Sequence, residues 1–272
     1  MTKVRPFLKW AGGKFALSEQ INQLLPAGDT LVEPFVGAGA VFLNNHDFTR
    51  YQLNDINPDL INLYKHLQKK PEVLVKKTAK LFTDKHNNSE SYYQLRDKFN
   101  QARNGIDKSA IFIYLNRHGY NGLCRYNRSG GFNVPFGRYK KPYFPEREMY
   151  FFAEKSQRAT FTCKDFKSVI RTAKANSVIY CDPPYAHLNP EKANSFTGYA
   201  GNKFEQKEQA DLADLAIKSS AKSIPVLISN HDTQLTREIY AKAESSYIQV
   251  RRYISREANN RKPVQEVFAL FK

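Results

Sequence analysis

Apolar residues recur along this chain with two different periods, and the alternation between them predicts the fold. Ala16, Leu17, Ile21, Leu24 and Leu25 fall at helical spacing, Pro26-Ala27-Gly28 ends that run, and Thr30-Leu31-Val32 starts a short buried strand. The turn Gly37-Ala38-Gly39 then leads into a helix from Ala40, and Tyr51-Gln52-Leu53 reads as the next strand. Strand, glycine turn, helix, strand is the order of a βαβ unit. Residues 58–110 differ: polar, Lys-rich helical segments dominate, with a loop over 84–89 and a further helix over 109–116. Arg128-Ser129-Gly130-Gly131 is a hairpin-turn signal between two β-capable segments. Helix–strand alternation resumes near residue 146. Helices are predicted over 147–157, 165–175, 205–220 and 233–242, and strands over 160–163, 178–181, 225–229, 246–254 and 264–271. The pattern is α/β: one doubly wound sheet in two parts, 1–57 and 146–272, interrupted by an insert over 58–145.

Composition narrows the function. At 272 residues and 41% hydrophobic, the chain is long enough for one substantial core. No run of 18 apolar residues exists and the first ten residues lack an apolar signal core, so neither a membrane span nor secretion is expected. The cysteines Cys124, Cys163 and Cys181 are scattered, no CxxC pair occurs, and the histidines lack ligand spacing. No metal site is therefore expected, and a reducing cytoplasm fits.

Charge is the strongest compositional signal: 42 Lys and Arg against 26 Asp and Glu, formally +16. Residues 1–57 are balanced, whereas the insert carries 17 basic and 6 acidic side chains. From Lys108 to Pro145 there is no acidic residue, against seven basic and nine aromatic ones. A basic stretch interleaved with rings and turns, and lacking counter-charges, points to a polyanionic partner.

Two motifs carry chemistry. In Glu33-Pro34-Phe35-Val36-Gly37-Ala38-Gly39, the glycines allow a ligand close to the backbone at the carboxyl end of a strand. Asp55, 18 residues beyond Gly37, stands where a carboxylate accepts hydrogen bonds from a ribose diol. Phe42 replaces the last glycine of a dinucleotide fingerprint, which disfavours NAD and favours a nucleoside without pyrophosphate. The second motif, Asp182-Pro183-Pro184-Tyr185, ends the strand Val178 to Cys181. A heteroaromatic amine needs an acceptor for one proton, a second acceptor to fix its geometry, and a ring to stack on. Asp182, the Pro183 carbonyl and Tyr185 offer these, and the two prolines hold them in place beforehand.

These residues also carry a family resemblance. FLKWAGGK (7–14), EPFVGAGAVFLN (33–44), YLNRHGYNGLCRYN (114–127), FNVPFGRYKKPYF (132–144), CDPPYA (181–186) and VLISNHD (226–232) closely resemble Dam-type DNA adenine methyltransferases. The blocks run in the family's order over essentially the whole chain. The resemblance implies a Rossmann-like, S-adenosylmethionine-dependent methyltransferase sheet with an inserted recognition subdomain. It also implies methylation of adenine N6 in GATC of double-stranded DNA, by a cytoplasmic monomer using no metal. For cofactor contacts it implies Trp10, Ala11, Gly12, Lys14, Phe35, Gly37, Ala38, Gly39, Asp55, Asp165, Phe166 and Asp182. Asp182, Pro183, Pro184 and Tyr185 match the catalytic corner.

For DNA it implies Lys9, Tyr120, Asn121, Leu123, Arg125, Asn127, Pro135, Arg138 and Tyr139. Chemistry suits several of these: Arg125 for guanine O6 and N7, Leu123 and Pro135 for a thymine methyl, Tyr120 for the gap left by an extruded adenine. Arg96, Arg117, Lys140 and Lys141 read as phosphate contacts. Phe112 and Tyr114 read as core, and His118, where the family carries Tyr, reads as a surface change. The loop 187–203 matches the family weakly beyond Asn194-Ser195-Phe196-Thr197 and is expected to close over the extruded base, and Arg256 to Lys262 reads as a basic loop facing DNA. Two alternatives stay open: a non-catalytic DNA-binding protein, and an amino-methyltransferase acting on another sequence or on RNA. Cytosine-C5 methylation is disfavoured because no cysteine follows a proline.

Overall fold

Val178, Ile179, Tyr180 and Cys181 are buried without alternation, as befits a strand with neighbours on both edges and cover on both faces. The computed structural model describes residues 3–186, 204–250 and 263–272. Among the described residues seven strands form one sheet: β1 (Thr30–Glu33), β2 (Arg50–Asn54), β3 (Ala159–Thr162), β4 (Ser177–Cys181), β5 (Val226–His231), β6 (Glu244–Val250) and β7 (Val264–Phe271). Their order is β3-β2-β1-β4-β5-β7-β6. The first five run parallel, and β7 is antiparallel to both β5 and β6. The direction of winding reverses between β1 and β4. In an open α/β sheet, that reversal places a crevice at the carboxyl ends of those strands. Here they end at Glu33 and Cys181, beside the two motifs. This is the doubly wound, Rossmann-like sheet that the sequence predicts.

Helices α1 (Ser18–Leu24) and α2 (Ala40–Asn44) accompany the first strands, α8 (Phe166–Arg171) precedes β4, and α9 (Gln206–Ser220) and α10 (Gln234–Ile239) flank β5. The insert holds α3 (Pro58–Lys69), α4 (Pro71–Ala79), α5 (Ser89–Gln101) and α6 (Ile106–His118); α7 (Glu146–Lys155) follows it. Asn57 caps α3 by accepting from Asp59 N and Leu60 N, with Pro58 at the first helical position. Leu60, Ile61, Leu63, Tyr64 and Leu67 line its buried stripe. Phe7, Phe42, Tyr64, Phe152 and Phe161 pack ring to ring across the insert and the sheet, so one core serves both.

Helix α6 is buried on every face from Ser109 to His118. Phe112 and Tyr114 are core, as expected. His118 is not a surface residue: it is 1% exposed, stacks on Tyr114 with centroids 4.0 Å apart, and meets Phe82 edge-on. The apolar run Ala110 to Leu115 already requires a surrounded helix, and its last turn shares that burial.

Asn116 on the same helix clamps two segments. Its Oδ1 accepts from Lys9 N at 2.8 Å, and its Nδ2 donates to Lys9 O at 2.8 Å and Gly122 O at 3.1 Å. Beyond α6, residues 119–136 form a hairpin-like arm held by two isolated bridges, Gly119–Phe136 and Tyr126–Phe132. No continuous ladder forms, because the left-handed backbone of Asn121 (φ 53°) and Gly122 (φ 62°) breaks the strand.

Candidate active site

The turn after β1 is shaped by close approach. Gly37 has φ 47°, and a Cβ there would lie 2.8 Å from Trp10 Nε1, so only glycine lets the indole pack against this turn. Gly37 N donates to Asp55 Oδ2 at 3.1 Å, and Asn57 N donates to Asp55 Oδ1 at 2.9 Å. The carboxylate at the end of β2 is thus fixed beside the turn, and burial pushes its pKa up to about 6. Gly39, with φ 73°, is the N-cap of α2.

The corner Asp182 to Tyr185 follows the end of β4. Asp182 Oδ1 lies 2.8 Å from Lys14 Nζ and accepts from Ser229 Oγ at 3.1 Å. Ser229 Oγ also lies 3.0 Å from the Tyr180 hydroxyl. Lys14 Nζ sits 4.6 Å from the centroid of the Tyr185 ring. The Tyr185 hydroxyl donates to Glu266 Oε2 at 2.9 Å, and the His231 ring crosses it at 4.6 Å and 81°. The corner's backbone is tied down too: Gln209 Nε2 donates to Pro184 O at 2.8 Å, and Ala186 N donates to Asn230 Oδ1 at 2.9 Å.

Both motifs line one cavity of about 910 Å³. Trp10, Ala11, Gly12, Lys14, Phe35, Gly37, Ala38, Asp55, Asp165 and Phe166 line it, together with Asp182 to Tyr185. Of the residues predicted for the cofactor, Gly39 alone is not in the wall; its part is the helix cap. Asp165 caps α8 by accepting from Lys167 N at 2.8 Å. Sequence reasoning missed several lining residues. Phe204 completes an aromatic trio with Phe35 and Phe166, at centroid distances of 5.7 and 5.4 Å. Glu33 is 3% exposed, its Oε1 has no hydrogen-bond partner, and burial raises its pKa to about 8. His231 and Glu266 come from β5 and β7, far along the chain from the corner they face.

The cavity suits S-adenosylmethionine. That molecule carries an ammonium, a sulfonium, a ribose diol and a purine. The walls offer one buried carboxyl oxygen without a partner, Glu33 Oε1, a fixed carboxyl group at Asp55 and the aromatic trio. Among the described residues no group of three His, Cys, Asp or Glu is placed to hold a metal, and no helix is long and apolar enough to cross a membrane.

The arm brings most of the predicted DNA residues to one surface. Tyr120 is 52% exposed, and Asn121, Arg125, Pro135, Arg138, Lys140 and Lys141 are exposed around it. Lys9 Nζ lies 4.2 Å from the Tyr139 ring centroid, and the Tyr139 hydroxyl accepts from Asn121 N at 3.0 Å. Arg125 is braced by Asn133, with Nε donating to its Oδ1 at 2.9 Å and Nη2 to its O at 3.2 Å. Leu123 is half-buried beneath.

One assignment needs correction, and two further predicted DNA residues also brace the arm. Arg117 is buried: its Nε donates to Phe7 O at 2.9 Å and its guanidinium faces the Tyr143 ring, so it joins α6 to the N-terminal segment instead of meeting phosphate. Arg96 is half-buried, reaches Val134 O at 3.5 Å, and packs on Tyr93. Its guanidinium braces the arm. Asn127 uses its Oδ1 to accept from Gly131 N and Ser129 Oγ, both at 2.8 Å, and so closes the turn.

The parallel sheet with its antiparallel final strand, and the cavity at its switch point, define a methyltransferase of the S-adenosylmethionine-dependent class. Residues 10–254 match the D12 class of N6 adenine-specific DNA methyltransferases, and the chain belongs to that family. It is similar to the DNA adenine methylases of Vibrio cholerae serotype O1 (53% identity over 100% of this chain and 97% of the relative) and Serratia marcescens (52%, over 100% of each). The DNA adenine methylase of Escherichia coli strain K12 is 52% identical over 100% of this chain and 97% of its own length.

Proposed function

We propose that this protein methylates the adenine of GATC in duplex DNA after drawing that base out of the helix into the cavity described above. The observation that carries the reading is the continuity of that cavity. The aspartate, carbonyl and phenol of the corner share one cavity with the glycine turn, Asp55 and the aromatic trio. An adenine paired inside a duplex cannot reach such a space, so extrusion is required.

The exocyclic amine of adenine is a poor nucleophile because its lone pair is delocalised into the ring. Asp182 accepts one amine hydrogen and the Pro183 carbonyl accepts the other, which localises the lone pair on nitrogen. The Pro184 carbonyl is already occupied by Gln209, so Pro183 is the acceptor left to aim at the base. Tyr185 supplies the stacking surface. Bound beside this corner, S-adenosylmethionine supplies an electrophilic methyl group. The corner is rigid before the substrate arrives, so little ordering entropy is lost in the reactive complex.

Arg125 is proposed to read guanine, Leu123 and Pro135 a thymine methyl, and Tyr120 to fill the vacated stack, while Lys140 and Lys141 meet phosphates. The names of the relatives, DNA adenine methylases over full length, support the same reading. One chain supplies every group required, so the acting unit is proposed to be a monomer, working on DNA in the cytoplasm.

The test is plasmid incubated with protein and donor, then digested by two restriction enzymes that differ in tolerance of methylated GATC. Protection against the sensitive enzyme alone is expected. Protection at other sequences with GATC left cleavable would remove the specificity assignment.

A further inference from the structure

The two prolines of the corner restrict the backbone, yet nothing in a Pro-Pro-Tyr backbone fixes the direction of the tyrosine ring. The ring has two free torsions, and a stacking surface that swings cannot hold a base in a reactive pose. Something outside the corner must hold it.

Glu266 lies 81 residues along the chain from Tyr185, on β7. In the antiparallel pairing of β5 with β7 it stands opposite His231. These two register partners therefore present a carboxylate and an imidazole at one place on the sheet, and both meet Tyr185. The carboxylate takes the phenol at 2.9 Å, and the imidazole packs against the ring at 4.6 Å and 81°. Two separate points of contact fix both the tilt and the direction of the ring. A bond from a neutral phenol to a carboxylate is charge-assisted and roughly twice as strong as a neutral one. Both Glu266 and His231 line the same cavity as the corner.

We propose that Glu266 is the positioning residue for the target-base stacking ring, acting on catalysis through the hydroxyl of Tyr185. This rests on the role given to Tyr185 above. Burial and the carboxylates of Asp182 and Glu266 raise the pKa of the Tyr185 phenol well above its ordinary value, so it remains a donor to Glu266 at working pH.

The experiment is a double-mutant cycle read by steady-state kinetics on GATC duplex. Glu266→Ala is expected to lower kcat by roughly tenfold with the KM for S-adenosylmethionine unchanged. Glu266→Gln, which keeps a neutral acceptor, is expected to restore most of that loss. In a Tyr185→Phe background, Glu266→Ala should add almost nothing, because the hydroxyl it served is already gone. Additive losses in the cycle would overturn the proposal, as would wild-type kcat in Glu266→Ala. Should Glu266→Ala fail to fold, the cycle is run with Glu266→Leu, which keeps bulk but offers no acceptor, and additivity there would overturn it equally. Tyr185→Ala separates the layers. If it loses turnover while Glu266→Ala does not, only the positioning role fails. If it too retains turnover, the stacking role and the positioning role fall together.

Discussion

The ammonium of Lys14 lies 2.8 Å from Asp182 Oδ1 and 4.6 Å from the centroid of the Tyr185 ring. One cation, from a segment that precedes the first strand, is thus in contact with both side chains of the corner. The side chain of Asp182 is 21% exposed, and its Oδ1 receives a charge and a hydroxyl together. That carboxylate is held in one orientation before any base arrives.

Replacing Asp182 by Ala should reduce methyl transfer at least 100-fold, the loss typical when a group stabilising the reaction centre is removed. Duplex affinity should stay within a few-fold, because the arm is far along the chain and keeps its own hydrogen bonds. Incorporation of labelled methyl and a gel-shift titration on the same preparation measure the two quantities. Turnover close to wild type would remove Asp182 from the reaction.

Arg125→Ala should relax discrimination at one guanine by about 1–3 kcal/mol and leave affinity for unrelated duplex nearly intact. Asn133→Ala should reproduce part of that effect, since it releases the guanidinium from its two hydrogen bonds. Equal weakening on every sequence would make Arg125 a phosphate contact.

Arg117 and Lys140 should part company in a salt titration. Lys140→Ala is expected to reduce the slope of log affinity against log salt by about 1. Arg117→Ala should leave that slope unchanged and lower stability by about 1–3 kcal/mol, because Phe7 O loses a charged donor. A reduced slope for Arg117→Ala would restore it to the DNA surface.

Glu33 makes the protein less stable as pH rises. In the unfolded chain its carboxyl ionises near 4.5, whereas burial holds it protonated in the fold up to about 8. Between these values the folded state keeps a proton that the unfolded state has lost, so stability declines with rising pH, by on the order of 5 kcal/mol. Glu33→Gln should flatten denaturation midpoints across pH 5–8. An unchanged slope would mean that Glu33 is ionised in the fold.

His118 acts at the acid end with the opposite sign. Burial lowers its pKa from 6.5 to about 4, so below pH 6.5 the unfolded chain takes up a proton that the folded chain refuses. Stability should fall from pH 6.5 toward 4 by about 3 kcal/mol. His118→Phe, retaining the stack on Tyr114 without a titrating group, should reduce that acid slope. Thermal melts at half-unit pH intervals read both effects.

Local patterns made the glycine turn, Asp55 and the corner legible in the sequence, since each is a short motif at the end of a strand. The contacts of Tyr185 were not, because Glu266 and His231 meet it only through the antiparallel register of β5 with β7. No spacing along the chain encodes that. Phe204 was missed for a similar reason: its partners Phe35 and Phe166 belong to two different strand ends. The misplacement of Arg117 and His118 has a local cause. A polar or charged residue normally signals the exposed face of a helix, but α6 has no exposed face between Ser109 and His118. The expectations for 187–203 and 256–262 concern segments outside the described residues.

Asn116 gives the chain a joint with an evolutionary cost. By gripping Lys9, the neighbour of Trp10 in the cavity wall, on one side and Gly122 of the arm on the other, it makes cavity and arm a single lever. A lineage could not graft a new recognition arm onto this scaffold as a cassette. Each change in the arm would have to be tuned together with the cavity wall, through one carboxamide.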